Sequence, residues 1–300
     1  MSKIHTILAA GLVATPLFAA SNALAQEGFY MDGSVLAAYN GGFGDMVDVT
    51  LGYDGIAGLP MGLEIYATDS RGAGTPSSSF AGAFYYDTAL GRFSVGLPKS
   101  ALDDYVTLFS FGHNPDIVPT FAQYFLDYRT LNFPQSPGDF KVGVRFDGTA
   151  GGVDYGLSYT ALTGGVYSVS GGACYRFGSY YTVAAGFENS PEGGSNRTRL
   201  SASFAADYDS FGFSIMAKQG VQIIGGGVLY TARGYYDWNN FEAFAEVFGD
   251  GLSTPGKYNV GVEYTFMDNG YVGVEVSNGG FGGGTPAYNI YAGWNIAFGG

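Results

Sequence analysis

Along most of this chain apolar and polar residues alternate one by one, and that period leaves few choices of fold. Val47, Val49, Leu51 and Tyr53 are interleaved with Asp48, Thr50, Gly52 and Asp54. Phe140, Val142, Val144 and Phe146 are interleaved with Lys141, Gly143, Arg145 and Asp147, and Val260, Val262, Tyr264 and Phe266 with Asn259, Gly261, Glu263 and Thr265. A helix repeats every 3.6 residues, so a strict period of two marks strands with one apolar face. Sixteen such segments are read, at 29–40, 45–54, 60–69, 79–88, 91–97, 139–147, 153–162, 165–177, 179–189, 196–208, 210–219, 227–237, 239–249, 257–267, 270–277 and 286–298.

The connections fall into two kinds. Those after even-numbered segments are mostly tight, as at Ala89-Leu90, Gly178, Asp209-Ser210, Trp238 and Asp268-Asn269. Those after odd-numbered segments are often longer, at 70–78, 98–138, 190–195, 250–256 and 278–285. Strands joined by short turns at one end and longer loops at the other describe an up-and-down antiparallel β-barrel. An even strand number puts both termini at the short-turn end. The expected fold is therefore all-β, a sixteen-stranded transmembrane up-and-down barrel.

Composition decides which face points outward. Only 13% of the residues are charged, against ~25% in an ordinary soluble domain. The 50 Gly follow no Gly-X-Y period, and 24 Phe with 24 Tyr argue against a flexible low-complexity chain. Sixteen one-sided segments have no second layer to hide against in a soluble sandwich. In a barrel their apolar faces meet lipid while every backbone group pairs with a neighbouring strand. Phe84, Tyr86, Phe93, Phe211, Tyr236 and Tyr288 stand near strand ends on the apolar side, where the aromatic girdles of membrane barrels lie.

The N-terminus fits that destination. Lys3, an apolar core over Ile7 to Ala20 and an Ala23-Leu24-Ala25 cleavage site make residues 1–25 a secretory signal peptide, with 26–300 as the barrel. No later segment approaches the ~20 apolar residues of a spanning helix. Cys174 is the only cysteine, so no internal disulfide framework exists.

With this register the charged strand residues fall on the inner face. They include Asp32, Asp48, Glu64, Asp87, Glu188 and Glu246 against Arg92, Lys141, Arg145, Arg199 and Arg233. Isolated charges in a dry interior cost several kcal/mol each, so this many, with acids in excess, call for water inside. A sixteen-stranded barrel is wide enough to hold an aqueous channel rather than a solid polar plug. Phe244 and Phe248 share the inward parity and break the pattern.

The alternation stops once, from Pro98 to Gly138. A connection of that length in a compact domain is more often functional than idle. Its Phe, Tyr and Leu content makes disorder a poor reading, so an inward fold is expected.

At this point the chain resembles the general bacterial outer-membrane porins, over its whole mature length. The more specific resemblance is Gly91-Arg92-Phe93-Ser94-Val95-Gly96 followed by Ser100-Ala101-Leu102-Asp103-Asp104-Tyr105, which is similar to the end of strand five and the start of the inward-folded third loop of that family. The resemblance implies residues 98–138 as a constriction loop. It also implies a homotrimer in lipid and lipopolysaccharide of the cell outer membrane, and passive diffusion of small hydrophilic solutes and ions. Carried over by position, Asp103, Asp104, Asp116 and Asp127 form the acidic side of the constriction, and Lys141 and Arg145 belong to the basic side. Where the family places further basic residues on its first strands, this chain has Asp48 and Glu64. An excess of lumenal acids implies mild cation selectivity. Two other readings stay open: a channel specific for sugars or small organic acids, with Tyr105, Phe109, Phe111, Phe121, Tyr124 and Tyr128 as a stacking surface, and an occluded structural barrel.

Other chemistries find little support. Past the leader His113 is the only histidine, among Gly112, Asn114 and Pro115, so a Ser-His-Asp site and a His/Cys metal cluster are not expected. The glycine run at 279–284 leads from strand to strand, with no helix N-terminus to cradle a phosphate. Asp45, Asp69, Glu192 and Asp250 are oxygen donors for a surface Ca²⁺, though solvated charge explains them as well. No cofactor is expected. A net charge of −13 without a basic stripe argues against nucleic acid.

Overall fold

A computed structural model describes residues 28–39, 43–71, 77–106, 141–162, 166–192, 195–220, 227–249, 256–267, 269–278 and 287–299. The signal peptide read at 1–25 lies outside them, as does most of the long loop.

All sixteen expected strands form. They are β1 Phe29–Tyr39, β2 Phe43–Tyr53, β3 Met61–Arg71, β4 Ser77–Thr88, β5 Gly91–Leu97, β6 Lys141–Ala150, β7 Val153–Leu162 and β8 Val166–Phe177. The second half comprises β9 Tyr181–Glu192, β10 Ser195–Asp207, β11 Phe211–Gln219, β12 Val228–Trp238, β13 Phe241–Gly249, β14 Lys257–Phe266, β15 Gly270–Ser277 and β16 Ala287–Gly299. Each strand pairs antiparallel with its sequence neighbours, and β16 returns to β1 with Tyr30 opposite Gly299 and Val35 opposite Trp294. Closure removes every sheet edge, which a membrane requires because lipid offers no hydrogen-bond partners. Among the described residues no helix is long and apolar enough to cross a membrane.

The turns between even and odd strands are short because their chemistry suits reversal. The β6–β7 turn is Gly151-Gly152 with φ of 59° and 82°. Both residues are left-handed, as the two-residue hairpin that matches strand twist demands, and glycine adopts that region without a Cβ clash. The β2–β3 connection is the longest on this side and carries a 3₁₀ turn at Ile56–Gly58.

Burial is inverted relative to a water-soluble domain. Val95, Leu157 and Ile215 are 55%, 52% and 50% exposed on the outer face, while Glu188, Glu246 and Asn259 are buried within. Apolar area in water is unfavourable by ~25 cal/mol per Å². An outer wall of Phe, Val, Leu, Ile and Tyr is therefore stable only against an apolar medium.

The inner face is not uniformly polar. Met216 on β11, Leu229 on β12 and Phe248 on β13 point inward and join Cys174 and Ala184 in one buried cluster. Phe248, which breaks the polar pattern in the sequence, is thus part of an internal seat. Phe244 instead lies across Gly261, its cross-strand partner, where a Cβ would stand 2.4 Å from the ring. Tyr30 over Gly52, Tyr85 over Gly62, Tyr271 over Gly293 and Tyr291 over Gly273 repeat the arrangement. Many of the chain's glycines thereby act by size: each lets a large inward ring lie flat on the wall.

Candidate functional site

The long loop leaves β5 at Pro98 and enters a short helix, α1, at Ala101–Val106. Its Ala101, Leu102 and Val106 are almost wholly buried, and Leu102 and Val106 complete the cluster that Phe248, Met216 and Leu229 begin. The chain therefore turns inward here, as its sequence implied for the start of the third loop.

The wall beneath α1 is built to receive it. Gly156 on β7 is paired with Gly172 on β8, which is paired with Gly186 on β9. This row of three glycines runs under the helix. A Cβ would lie 2.6 Å from the Tyr105 ring at Gly156, 2.9 Å from Tyr105 Cβ at Gly172, and 2.7 Å from Leu102 Cδ1 at Gly186. Serines fix both ends. Ser100 Oγ and Ser158 Oγ each lie 2.7 Å from Ser170 Oγ, and the Ala101 amide donates to Ser158 Oγ at 3.1 Å. The Leu102 amide donates to Ser100 Oγ at 3.2 Å, an N-terminal cap, and Ser203 Oγ donates to the Val106 carbonyl at 2.8 Å.

The polar side of α1 faces β6. Arg145 donates to Asp104, to the Lys99 carbonyl at 3.0 Å and to Asp147 at 2.6 Å. Lys99 Nζ reaches Asp104 at 2.8 Å, and Tyr105 Oη donates to Asp147 Oδ1 at 2.8 Å. One guanidinium thus ties loop to wall. Asp104 has 29% of its side chain exposed. Burial alone would push its carboxyl up, but Lys99 and Arg145 outweigh that and hold it below its ordinary value. Burial works against the Lys99 ammonium too, and Asp104 reverses the effect and pushes Lys99 above its ordinary value.

Beside this latch lies a recess of about 350 Å³ lined by residues of β3, β4, β5, β6 and α1. Tyr66 Oη donates to Asp48 at 2.8 Å and Tyr30 Oη to Glu64 at 2.9 Å. Arg92 clasps Asp87 through two bonds of 2.7 and 3.0 Å. Among the described residues neither Asp48 nor Glu64 has a cation within ion-pair distance. Elsewhere on the wall Glu188 accepts from Arg199 at 2.7 Å and Lys218 at 3.4 Å. Arg233 bridges Glu242 and Glu246, and Asn259 donates to both Glu246 and Glu275.

The residues singled out from sequence are therefore distributed as follows. Asp104 and Arg145 come together, in direct contact rather than separated by open lumen. Asp103 is buried within α1, and Asp48 and Glu64 stand on the wall of β2 and β3. Lys141 opens β6. Asp116, Asp127 and the aromatic residues from Phe109 to Tyr128 lie outside the described residues, while Tyr105 serves the latch. Asp45 and Asp69 sit at the long-loop end of β2 and β3. Among the described residues no group of three or more acids, His or Cys is arranged to hold a metal. Sequence reasoning missed Lys99 and Tyr66, although a lone lysine after Pro98, where the alternation stops, is a visible signal.

No protein-family model matches the chain, and no curated protein sequence does. Solved structures do. A mutant of Rh. blastica porin is 15% identical, with 90% of this chain and 99% of that chain covered and a TM-score of 0.65. A second mutant of the same porin is 15% identical over the same shares, with a TM-score of 0.64. A triple mutant of Rhodopseudomonas blastica porin is 14% identical, with 90% and 99% covered and a TM-score of 0.62. The chain has the sixteen-stranded fold of the bacterial porins.

Proposed function

We propose that this chain, with its porin fold, is an outer-membrane channel through which small hydrophilic solutes and ions diffuse passively. The observation that carries the reading is the inverted barrel. An apolar outer wall is closed on itself around an interior lined by Glu, Asp, Arg, Lys, Ser and Asn. Sixteen strands enclose more space than wall side chains fill. The fold of the neighbouring structures, the leader read at 1–25 and the aromatic strand ends support export to a bacterial outer membrane, with lipid and lipopolysaccharide around the barrel. A homotrimer is the assembly the resemblance implies.

The channel is mildly cation-selective. Asp104 is neutralised by Lys99 and Arg145, so its charge adds little to that preference. Asp48 and Glu64 supply more, because among the described residues each holds only a tyrosine hydroxyl. Proteoliposomes loaded with a small sugar and a large dextran test the function. Release of the sugar with retention of the dextran is expected. Retention of both refutes the open channel.

A further inference from the structure

We propose that the recess bounded by β3, β4, β5, β6 and α1 is a subsite for small zwitterionic solutes of the amino-acid type. Glu64 takes the ammonium group, and Lys99 with Arg92 takes the carboxylate. This deepens the channel reading and rests on it.

The recess is of ligand size: about 350 Å³, at the lower end of the ~300–1,000 Å³ that small-molecule sites occupy. Ala81, Gly82 and Ala83 leave it open. Its lining carries both signs of charge, Glu64, Asp104 and Asp147 against Arg92, Lys99 and Arg145. Arg145 is engaged by Asp104 and Asp147 in the latch, where Lys99 and the Tyr105 hydroxyl complete the two carboxylates. The other groups keep capacity. Glu64 accepts only from Tyr30 among the described residues. Among the described residues Arg92 uses two of its five N–H donors on Asp87, and Lys99 uses one of its three on Asp104. An acid and two cations with spare hydrogen-bonding capacity therefore face one small volume. A solute carrying a single charge meets a like charge there as well as an opposite one, whereas a neutral molecule bearing both charges satisfies both sides.

The aromatic residues of the lining favour the same class of solute. Tyr85 lines the recess, is 4% exposed, and lies with its ring over Gly62. Sugar stacking is disfavoured by the rings themselves. The Arg92 guanidinium covers Tyr85 at 3.7 Å, Lys99 Nζ lies over Tyr66 at 4.8 Å, and Arg145 lies 5.7 Å from the centre of Tyr105. The aromatic faces a sugar would use already hold cations.

Block of single-channel current by the full-length protein in planar bilayers tests this, with glycine, β-alanine and 4-aminobutyrate compared against acetate, methylammonium and glycerol. One of the three zwitterions is expected to reach half-block at a concentration roughly tenfold below every comparator. Glu64→Gln should raise that concentration roughly tenfold, the loss of one charge-assisted hydrogen bond. Arg92→Gln, which removes a donor to the carboxylate and leaves the contacts of α1 in place, should raise it roughly fivefold. Channels that conduct but are blocked equally by all six compounds overturn the subsite and leave the channel reading standing. A zwitterion block that neither substitution weakens places the binding elsewhere and also overturns it. Bilayers that stay silent overturn the channel, and the subsite with it.

Discussion

Arg145→Gln isolates the contact that joins the inward segment to the barrel wall. Arg145 reaches Asp104, the Lys99 carbonyl and Asp147 at once, with 10% of its side chain exposed. Breaking a buried ion pair by removing one partner costs ~3–5 kcal/mol. The figure here lies below that, because Asp104 keeps Lys99 at 2.8 Å and Asp147 keeps the Tyr105 hydroxyl at 2.8 Å. A loss of ~2–3 kcal/mol remains. The barrel ladders do not involve this side chain, so the loss falls on local opening of residues 98–106 rather than on global unfolding. At 1.4 kcal/mol per factor of ten, amide hydrogen exchange at Asp104 and Tyr105 should quicken roughly 30- to 150-fold in lipid nanodiscs, with the strands unchanged. Exchange altered by less than about threefold would refute the reasoning. The glycine row and the serine caps would then hold α1 without the ion pairs.

Acid and base should each loosen the same segment. The Asp104 carboxyl sits below its ordinary value of 3.8, so its contribution is present above that pH and is lost as pH falls through the folded-state value. Lys99 sits above 10.5, so its contribution is complete below that pH and is lost as pH rises through the folded-state value. Channel current should be quiet in between and flicker outside, and Asp104→Asn should abolish the acid limb; an unchanged acid limb counts against the latch. Gly172→Val places a Cβ 2.9 Å from Tyr105 Cβ and 3.0 Å from the Ala101 carbonyl. The overpacking, ~1–3 kcal/mol, should raise exchange in α1, whereas Gly82→Ala, with ordinary contacts from 3.5 Å, should not. Ile215→Lys, at the middle of β11 and 50% exposed, should destabilise the barrel by ~2–4 kcal/mol when refolded into vesicles. A loss under ~0.5 kcal/mol, as for an ordinary water-facing site, would contradict a lipid-facing wall.

Period two made the barrel legible because every strand carries its own signal. β5 and β15 run over the residues that the alternation alone marks, 91–97 and 270–277. The end of the alternation at Pro98 likewise marks where the chain turns inward. The site was harder to read because it depends on register between strands. Gly156, Gly172 and Gly186 are ordinary strand glycines in sequence, and only pairing lines them up under α1. Met216, Leu229 and Phe248 blur the parity for the same reason: inward apolar residues look like errors until a helix needs a seat. Lys99 and Arg145 are 46 residues apart, and no local pattern announces that both would meet Asp104.

Single-channel recording across a planar bilayer in a tenfold KCl gradient tests the open, acid-lined barrel most directly. The inverted wall predicts discrete, roughly ohmic current steps and a reversal potential of cationic sign that shrinks in Asp48→Asn with Glu64→Gln. Bilayers that take up folded protein without any steps would contradict a water-filled barrel, and a reversal potential of anionic sign would contradict the acid lining as its selectivity element.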